Sequence, residues 1–201
     1  MVNLTPTEDK IFKAATAVFI EKGLDGARMQ EIADKAGINK ALLHYYFRSK
    51  EKLFKAIFLN IVEGLRPVLM EFFIEDDHLE NKVSKFVSGY IDFISKNPHI
   101  PLFVLNELRK KPDFFLEILS SGKLINFGKI EKILDKEIKE GRINEIDYRH
   151  FIVNMMSLTI FPFIGKPIIQ FFSQMEDEEF RVFIQERKKI VPEIIMNSIR
   201  P

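Results

Sequence analysis

Two short apolar stripes separated by a tight turn constrain the fold of this chain more than any other feature. The first stripe, at the helical spacing of three and four residues, comprises Met29, Ile32, Ala33 and Ala36. Gly37 and Ile38 follow, and Asn39 is a favourable N-cap for a second helix. The inward face of that helix would carry Leu43, Tyr46 and Phe47. Because Gly37 tolerates a positive φ and Ala33 is small, the two helices can pack closely, which predicts a helix-turn-helix.

The outward face of the second helix carries the side chains that would meet a ligand. It presents Lys40, Ala41, His44 and Tyr45, with Leu42 between the two faces and Asn39 at the start. The second helix of a helix-turn-helix lies in the major groove of DNA, where polar side chains bond to base edges. Lys40 and Lys50 could reach phosphates. We therefore predict a DNA-binding surface. Spacing alone also allows a small helical bundle with packed tyrosines and solvated lysines.

The distribution of charge also indicates that the amino-terminal end of the chain is the part that contacts nucleic acid. Residues 1–55 hold ten Lys and Arg against seven Asp and Glu, a net charge of +3, whereas the whole chain carries +1. The remainder is therefore slightly acidic. The polarity is mild, but the basic end is the one that contains the helix-turn-helix pattern.

Helical spacing and capping residues continue through the rest of the chain. Thr5–Glu8 predicts a capping box that opens a first helix, which Gly23 is expected to end. Ser49 would cap a fourth helix and Asp77 a fifth. Further helices are predicted over residues 100–108, 112–140, 147–161 and 177–199. No hairpin signature or alternating strand pattern occurs, so the predicted fold class is all-α.

The lack of cysteine and of a continuous apolar run limits the classes of function. Without Cys there is no disulfide framework, thiolate metal site or thiol nucleophile, which suits a reducing cytoplasm. The nearest approach to a membrane span is 155–172, which Pro162, Gly165 and Pro167 interrupt. A bilayer requires ~20 continuous apolar residues. We predict two buried helical pieces joined by a bend, no membrane partner and a cytoplasmic location.

The sequence offers no pattern typical of a catalytic, metal or cofactor site. Its four histidines stand apart from one another, without metal-ligand spacing, at His44, His78, His99 and His150. No phosphate-binding loop or nucleophile elbow occurs. We interpret Glu178-Glu179 as a solvated helix start. We predict no enzyme activity, no cofactor and no metal, and an enzyme that uses an apolar cavity is a remote alternative.

The segment MQEIADKAGINKALLHYYFRSKEKLF, Met29–Phe54, resembles the DNA-binding region of tetracycline-repressor (TetR) family transcription regulators. The residues that fit the family pattern are Gly23, Leu24, Ile32, Ala33, Ala36, Gly37, Ile38, Tyr46, Phe47, Ser49, Lys50 and Glu51. Where the family often has Thr before the second helix, this chain has Ala27-Arg28, so Arg28 is expected to contact phosphate by charge. Where the family often has Gly-Thr and then Tyr, this chain has Ala41-Leu42 and His44, so operator preference does not transfer.

The resemblance implies an Ω-shaped homodimer with two domains in each subunit. A reading head for double-stranded operator DNA would occupy residues 1–48, and a helical domain for ligand binding and dimerisation residues 49–201. The resemblance suggests that the last two helices pair with their symmetry mates. Together with the apolar spacing, it predicts an interface of Phe151, Leu158, Phe183, Arg187, Ile190, Val191, Ile194 and Ile195. The alternative is that the last helix closes the core of its own subunit.

The carboxy-terminal part is rich in phenylalanine, with 16 of the 20 Phe beyond residue 55. Bulky rings with flexible Met can leave adaptable voids, and the candidate pocket residues are Phe86, Tyr90, Phe103, Phe115, Phe127, Met155 and Phe161. No inward cluster of Lys or Arg is evident, so we predict a lipophilic effector that shifts the fourth helix and releases DNA. The alternative is a DNA-binding protein whose carboxy-terminal domain is purely structural.

Overall fold

The computed structural model describes residues 5–74, 77–110, 112–113, 116–117 and 127–201, and within them it is helical and contains no strand. The predicted all-α fold class is confirmed. The helices with seven or more described residues are α1 (Pro6–Gly26), α2 (Met29–Ala36), α3 (Lys40–Tyr46), α4 (Lys50–Glu71), α5 (Leu79–Lys96), α6 (Ile100–Lys110), α7 (Phe127–Lys139), α8 (Tyr148–Ile164), α9 (Lys166–Ser173) and α10 (Asp177–Asn197). Part of the long helix predicted over residues 112–140 lies outside the described residues.

The chain packs into two compact units that do not follow its order. Unit one consists of Met1–Leu65 with Leu102–Gly122, and unit two of Arg66–Pro101 with Lys123–Pro201. The unit boundaries fall inside α4 and inside α6, so each of these helices is shared between the two units. The boundary predicted after residue 48 divides a DNA-binding domain from a ligand-binding and dimerisation domain. It does not coincide with the division into compact units, and it stays a prediction.

Local capping explains where α1 begins, but not where it ends. The Glu8 amide donates to Thr5 Oγ1 at 3.3 Å and the Thr5 amide to Glu8 Oε2 at 2.8 Å, which confirms the capping box. The predicted end of this helix at Gly23 is confirmed as a break in the helix, although Gly23 is not the last helical residue. Gly23 breaks the helical geometry with φ 69° and ψ 177°, but helical structure resumes and reaches Gly26. The Ala27 amide donates to the Gly23 carbonyl at 3.2 Å, which closes the added turn.

The core of unit one is formed by small and aliphatic side chains around a group of buried phenylalanines. Phe19 and Phe54 are fully buried, with ring centroids 5.1 Å apart in an edge-on arrangement. Phe103, on α6, is 4% exposed, and its ring centroid lies 5.4 Å from that of Phe54. The aliphatic and small members of this core, all buried, are Ile11, Ala15, Val18, Ile32, Ala33, Leu43 and Leu53. Burial of this apolar surface holds α1–α4 around one centre.

Unit two has an aromatic core to which α5, α8 and the end of α4 contribute. The ring centroid of Phe72 lies 6.3 Å from those of Phe86 and Phe151, and the ring centroids of Phe86 and Tyr90 are 5.5 Å apart. All four side chains are buried. The prediction that Asp77 caps α5 is wrong. The N-cap is His78, which makes no side-chain cap bond, while Asp77 accepts from its neighbours on α5 instead.

A bend separates α8 from α9, as the interrupted apolar run predicts. The two helices meet at 74° across Gly165. Within the described residues, no single helix is long and apolar enough to cross a membrane, although this bent pair passes a length and composition test. The expectation of two buried pieces is wrong for the second, because α9 has no buried residue. Phe171 is 78% exposed and Phe172 79% exposed.

Candidate nucleic-acid interface

The turn between α2 and α3 depends on one glycine in the left-handed conformation. Gly37 has φ 67° and ψ 34°. Its amide donates to the Asp34 carbonyl at 3.2 Å, and the Ile38 amide donates to the Ala33 carbonyl at 3.1 Å, the paired bonds of a Schellman motif. A Cβ added to Gly37 would meet no atom within 4 Å. Glycine is therefore required at this position by the positive φ and not by lack of space.

Short-range contacts then fix the orientation of α3. Asn39 Oδ1 accepts from the Leu42 amide at 2.7 Å, which confirms the predicted N-cap. Leu43 is fully buried. Phe47 follows the end of the helix, and its ring centroid lies 5.7 Å from that of Phe12 on α1. One face of α3 is thus held against unit one, so the opposite face must point outward.

The outward face of α3 contains the side chains that the sequence predicts for DNA contact. Lys40, Ala41 and His44 are exposed, Leu42 is half-buried, and Tyr45 is 81% exposed. His44 Nδ1 lies 3.3 Å from the Arg48 carbonyl. If Nδ1 donates there, Nε2 is left as an acceptor that faces solvent. The face therefore combines a cation, a ring acceptor and a phenol around a small residue.

The residues predicted to contact phosphate differ in how far they are engaged inside the protein. Arg28 is exposed at the N-cap of α2 and makes no side-chain cap bond, so its guanidinium is not used in capping. Lys50 is half-buried, and its Nζ donates to the carbonyls of Asp25 at 2.9 Å and Ala27 at 3.4 Å. Lys50 therefore ties the start of α4 to the segment between α1 and α2. Its contact with phosphate stays a prediction.

Two contacts at this site gave no signal in the sequence. Lys22 on α1 forms an ion pair with Glu31 on α2, whose hydrogen bond raises the pKa of Lys22. Glu107, on α6, is 2% exposed and lies against Gly23. The partners lie on different helices, nine residues apart in the first case and 84 in the second, and share no helical spacing. Both contacts arise from the packing of separate helices.

The predicted pocket residues are divided between the two units. Phe86, Tyr90 and Met155 are buried in unit two, whereas Phe103 is buried in unit one. Phe161 is 56% exposed on α8. Phe115 and the side chain of Phe127 lie outside the described residues. Which of these residues would line a ligand cavity stays a prediction.

Two surface cavities are associated with α7, and neither is lined by a predicted pocket residue. One, of about 370 Å³, lies along α7 and is lined by Lys132, Asp135, Lys136, Lys139 and Glu140. The other, of about 360 Å³, lies between α7 and the start of α8, with Leu134, Ile138 and Tyr148 among its lining residues. Within the described residues, no group of three or more His, Asp or Glu could hold a metal ion.

The predicted dimer residues separate into a buried set and an outward set. Phe151, Val191 and Ile195 are buried within unit two, so their side chains pack inside the subunit. The outward set is Leu158, Phe183 and Arg187, which are half-buried, with Ile190 at 41% and Ile194 at 45% exposed.

The outward set lies where α8 and α10 are directly bonded. Arg187 Nη2 donates to the Leu158 carbonyl at 2.7 Å, and the guanidinium lies 5.7 Å from the Phe183 ring centroid. Burial lowers the pKa of Arg187, and its Nε has no hydrogen-bond partner.

Comparison with known proteins identifies similarity at both the sequence and the fold level. Residues 11–57 match the family model described as "Bacterial regulatory proteins, tetR family". The matched span includes all of α2, the Gly37 turn and α3.

Similarity also extends over nearly the whole chain. It is 24% identical over 187 residues to the probable HTH-type transcriptional regulator YttP of Bacillus subtilis (strain 168), with 90% of each chain covered. It is 27% identical over 195 residues to the HTH-type transcriptional regulator RutR of Escherichia coli (strain K12), with 95% of this chain and 89% of RutR covered. The crystal structure of HlyIIR, a haemolysin II transcriptional regulator, is 25% identical with a TM-score of 0.69 and 97% of each chain covered.

Proposed function

We propose a mode of action for this chain, which belongs to the TetR family of DNA-binding transcriptional regulators. It acts as a homodimeric repressor in the bacterial cytoplasm, where its operator DNA lies. A lipophilic small molecule bound by unit two lowers its affinity for the operator. The chain has no enzymatic activity. The observation that carries the proposal is the outward face of α3, on which Lys40, His44 and Tyr45 surround Ala41.

The proposal assigns two kinds of DNA contact to this surface. His44 and Tyr45 read base edges, because both are exposed on the face opposite the buried Leu43 and can donate or accept hydrogen bonds. Lys40 and Arg28 neutralise phosphates, which contributes affinity without sequence preference. Ala41 permits close approach of the helix backbone to the groove. Leu42 contacts a thymine methyl group in this proposal, because its side chain is apolar and cannot bond to a base edge.

The same proposal assigns the outward set of α8 and α10 to the dimer interface. Ile190 and Ile194 are exposed on α10, and Val153 is 59% exposed on α8. Burying this surface against a second copy removes apolar area from water, which favours association. Two recognition helices then bind half-sites separated by one or more turns of DNA, ~34–36 Å per turn.

The lipophilic character of the effector follows from what is buried in unit two. The aromatic core consists of Phe72, Phe86, Tyr90 and Phe151, and burial raises the pKa of Tyr90 to about 12, so its phenol is neutral. Two buried charges of unit two already have partners: Lys82 donates to a backbone carbonyl, and Glu137 accepts two bonds from Arg142. An anionic metabolite would need a free buried cation, which is costly to maintain unpaired.

Selection of bound fragments from random DNA tests the reading surface. We expect the protein to enrich a sequence with two related half-sites. His44→Ala and Tyr45→Phe should change the preferred bases, whereas Lys40→Ala should weaken binding to all sequences and reduce the salt slope by ~0.9. Lys132→Ala on α7 removes the same charge from unit two and should change neither the preferred bases nor the affinity and its salt slope. Enrichment of no sequence would contradict the proposed function.

Operator release against a panel of compounds tests the effector. The panel contains long-chain acids, aromatic drugs, nucleotides and sugars, each assayed by thermal shift and by loss of binding to the selected DNA. The proposal expects stabilisation and release by members of the first two classes. Release by nucleotides alone would exclude a lipophilic effector. Stabilisation by no compound would favour a purely structural unit two, which the buried aromatic core also permits.

A further inference from the structure

The break in α1 at Gly23 is an ordered part of unit one. Gly23 has φ 69° and ψ 177°, a conformation open almost only to glycine. After the break, a further turn ends at Gly26, and both Leu24 and Ala27 are only 3% exposed. The turn that follows the break is therefore packed against unit one and does not fray. It redirects the chain immediately before α2 begins at Met29.

The carboxy-terminal end of α6 lies directly against this break. A Cβ built on Gly23 would lie 2.9 Å from Glu107 Oε1 and 2.8 Å from Lys110 Nζ. Real Cβ atoms do not approach other atoms that closely, so the absence of a side chain at Gly23 makes room for the Glu107–Lys110 pair. Glu107 is 2% exposed, and Lys110 Nζ lies 3.3 Å from its Oε1. A carboxylate buried to this extent requires compensating partners.

The segment that follows the break is also held from the opposite end. Lys50, at the start of α4, donates to the carbonyls of Asp25 and Ala27. The link from Gly23 to Ala27 thus lies between a lysine of α4 and the acid–base pair of α6. Because α2 starts two residues after Ala27, the placement of this link determines the placement of α2 and α3.

We propose that Glu107 is a positioning residue for DNA binding and that, with Lys110, it holds the reading head at the Gly23 break of α1. The proposal rests on the proposed function for its consequence. The α6 helix starts at Ile100, among the residues of unit two, and carries Glu107 within unit one.

The variant Glu107→Gln tests this role, because it keeps the shape of the side chain and removes its charge. We expect a roughly tenfold loss of affinity for the selected DNA at constant salt slope, since no phosphate contact is removed. Amide hydrogen exchange of residues 24–28 should become faster, while that of α5 and α10 should stay unchanged. The charge swap Glu107→Lys with Lys110→Glu should restore part of the affinity. Asp9→Asn, which breaks an exposed ion pair on α1, is the matched control and should change neither measurement.

Each outcome decides the proposal. Unchanged affinity and unchanged exchange at residues 24–28 in Glu107→Gln would overturn it. Equal acceleration of exchange across both units would also overturn it, because Glu107 would then contribute to global stability alone. If the wild-type protein selects no DNA, the proposed function fails, but faster exchange confined to residues 24–28 would still show that Glu107 holds the break.

Discussion

Helices α3 and α10 both bury one face in their own unit, but they present opposite chemistry on the other. The outward face of α3 carries Lys40, His44 and Tyr45, whereas that of α10 carries Ile190 and Ile194. A polar face with a cation suits a polyanion, because neutralising its phosphates releases condensed counterions. An exposed apolar face gains free energy only when another apolar surface covers it. The proposed function accordingly assigns DNA and a second protein subunit to separate places on the chain.

The largest expected effect is the loss of the side chain that holds α3 in place. Leu43 is fully buried, so Leu43→Ala should lower the free energy of unfolding of unit one by ~2–5 kcal/mol and abolish DNA binding. Chemical denaturation and DNA titration measure the two effects. Leu79→Ala removes the same side chain from the core of unit two, where Leu79 is 2% exposed. If both variants lost DNA binding at the same folded fraction, the distinction between unit one and unit two would be contradicted.

The second prediction concerns the apolar face of α10. Ile194→Glu places a charge in the proposed interface, so sedimentation should show monomers. Affinity for the operator should fall by ~10²-fold or more, because the two reading heads no longer bind together. Gln185→Glu adds the same charge at an exposed position of α10 and should leave the dimer intact. A dimeric Ile194→Glu variant would instead support α10 as a helix that only closes its own subunit.

A smaller effect is expected from replacing either of two glycines that have a left-handed conformation and open space around them. Gly37 has φ 67° and Gly141 has φ 69°, and a Cβ would meet no atom within 4 Å at either position. Alanine at each should therefore cost ~1–2 kcal/mol of stability from backbone strain alone. Only Gly37→Ala should also weaken DNA binding, because it tilts α3. Equal DNA affinity in both variants would show that the turn does not control the recognition helix.

The smallest effect is a pH dependence of stability that arises at the start of α8, in unit two. Arg149 donates to the Asp147 carboxylate and lowers its pKa to about 2. Because the folded-state pKa is depressed, this contribution to stability is present above the unfolded-state pKa and is lost as the pH falls from about 4 to about 2. Asp147→Asn should remove that part of the acid sensitivity in denaturation measured at several pH values. The reading head offers no counterpart at α3, so its stability should be unaffected by this substitution.

The reading head was predictable from the sequence because short-range bonds determine it. Thr5, Gly37, Asn39 and Ser49 each act within about one helical turn, and the structure confirms the turn and the three caps. Such contacts leave a signature in adjacent letters of the sequence. The outward residues of α3 follow from the burial of Leu43 by helical geometry alone.

The regulatory part was less predictable because apolar spacing does not say which neighbour covers a helix face. The apolar spacing on α10 predicts one surface, but Val191 and Ile195 face the core while Ile190 and Ile194 face outward. Adjacent positions differ by about 100° around a helix, so a wide stripe includes both directions. The contact of Glu107 with Gly23 joins positions 84 apart in the chain and has no local signature.

The discontinuous make-up of unit one has a consequence for engineering. Chimeric regulators are commonly imagined as exchanges of an amino-terminal module, yet here the amino-terminal helices share their core with Phe103 and their break with Glu107. A graft of residues 1–48 onto a foreign sensor would leave both partners behind. A transplant that also carries α6, or a host chosen for a compatible α6, would keep the graft's own packing intact.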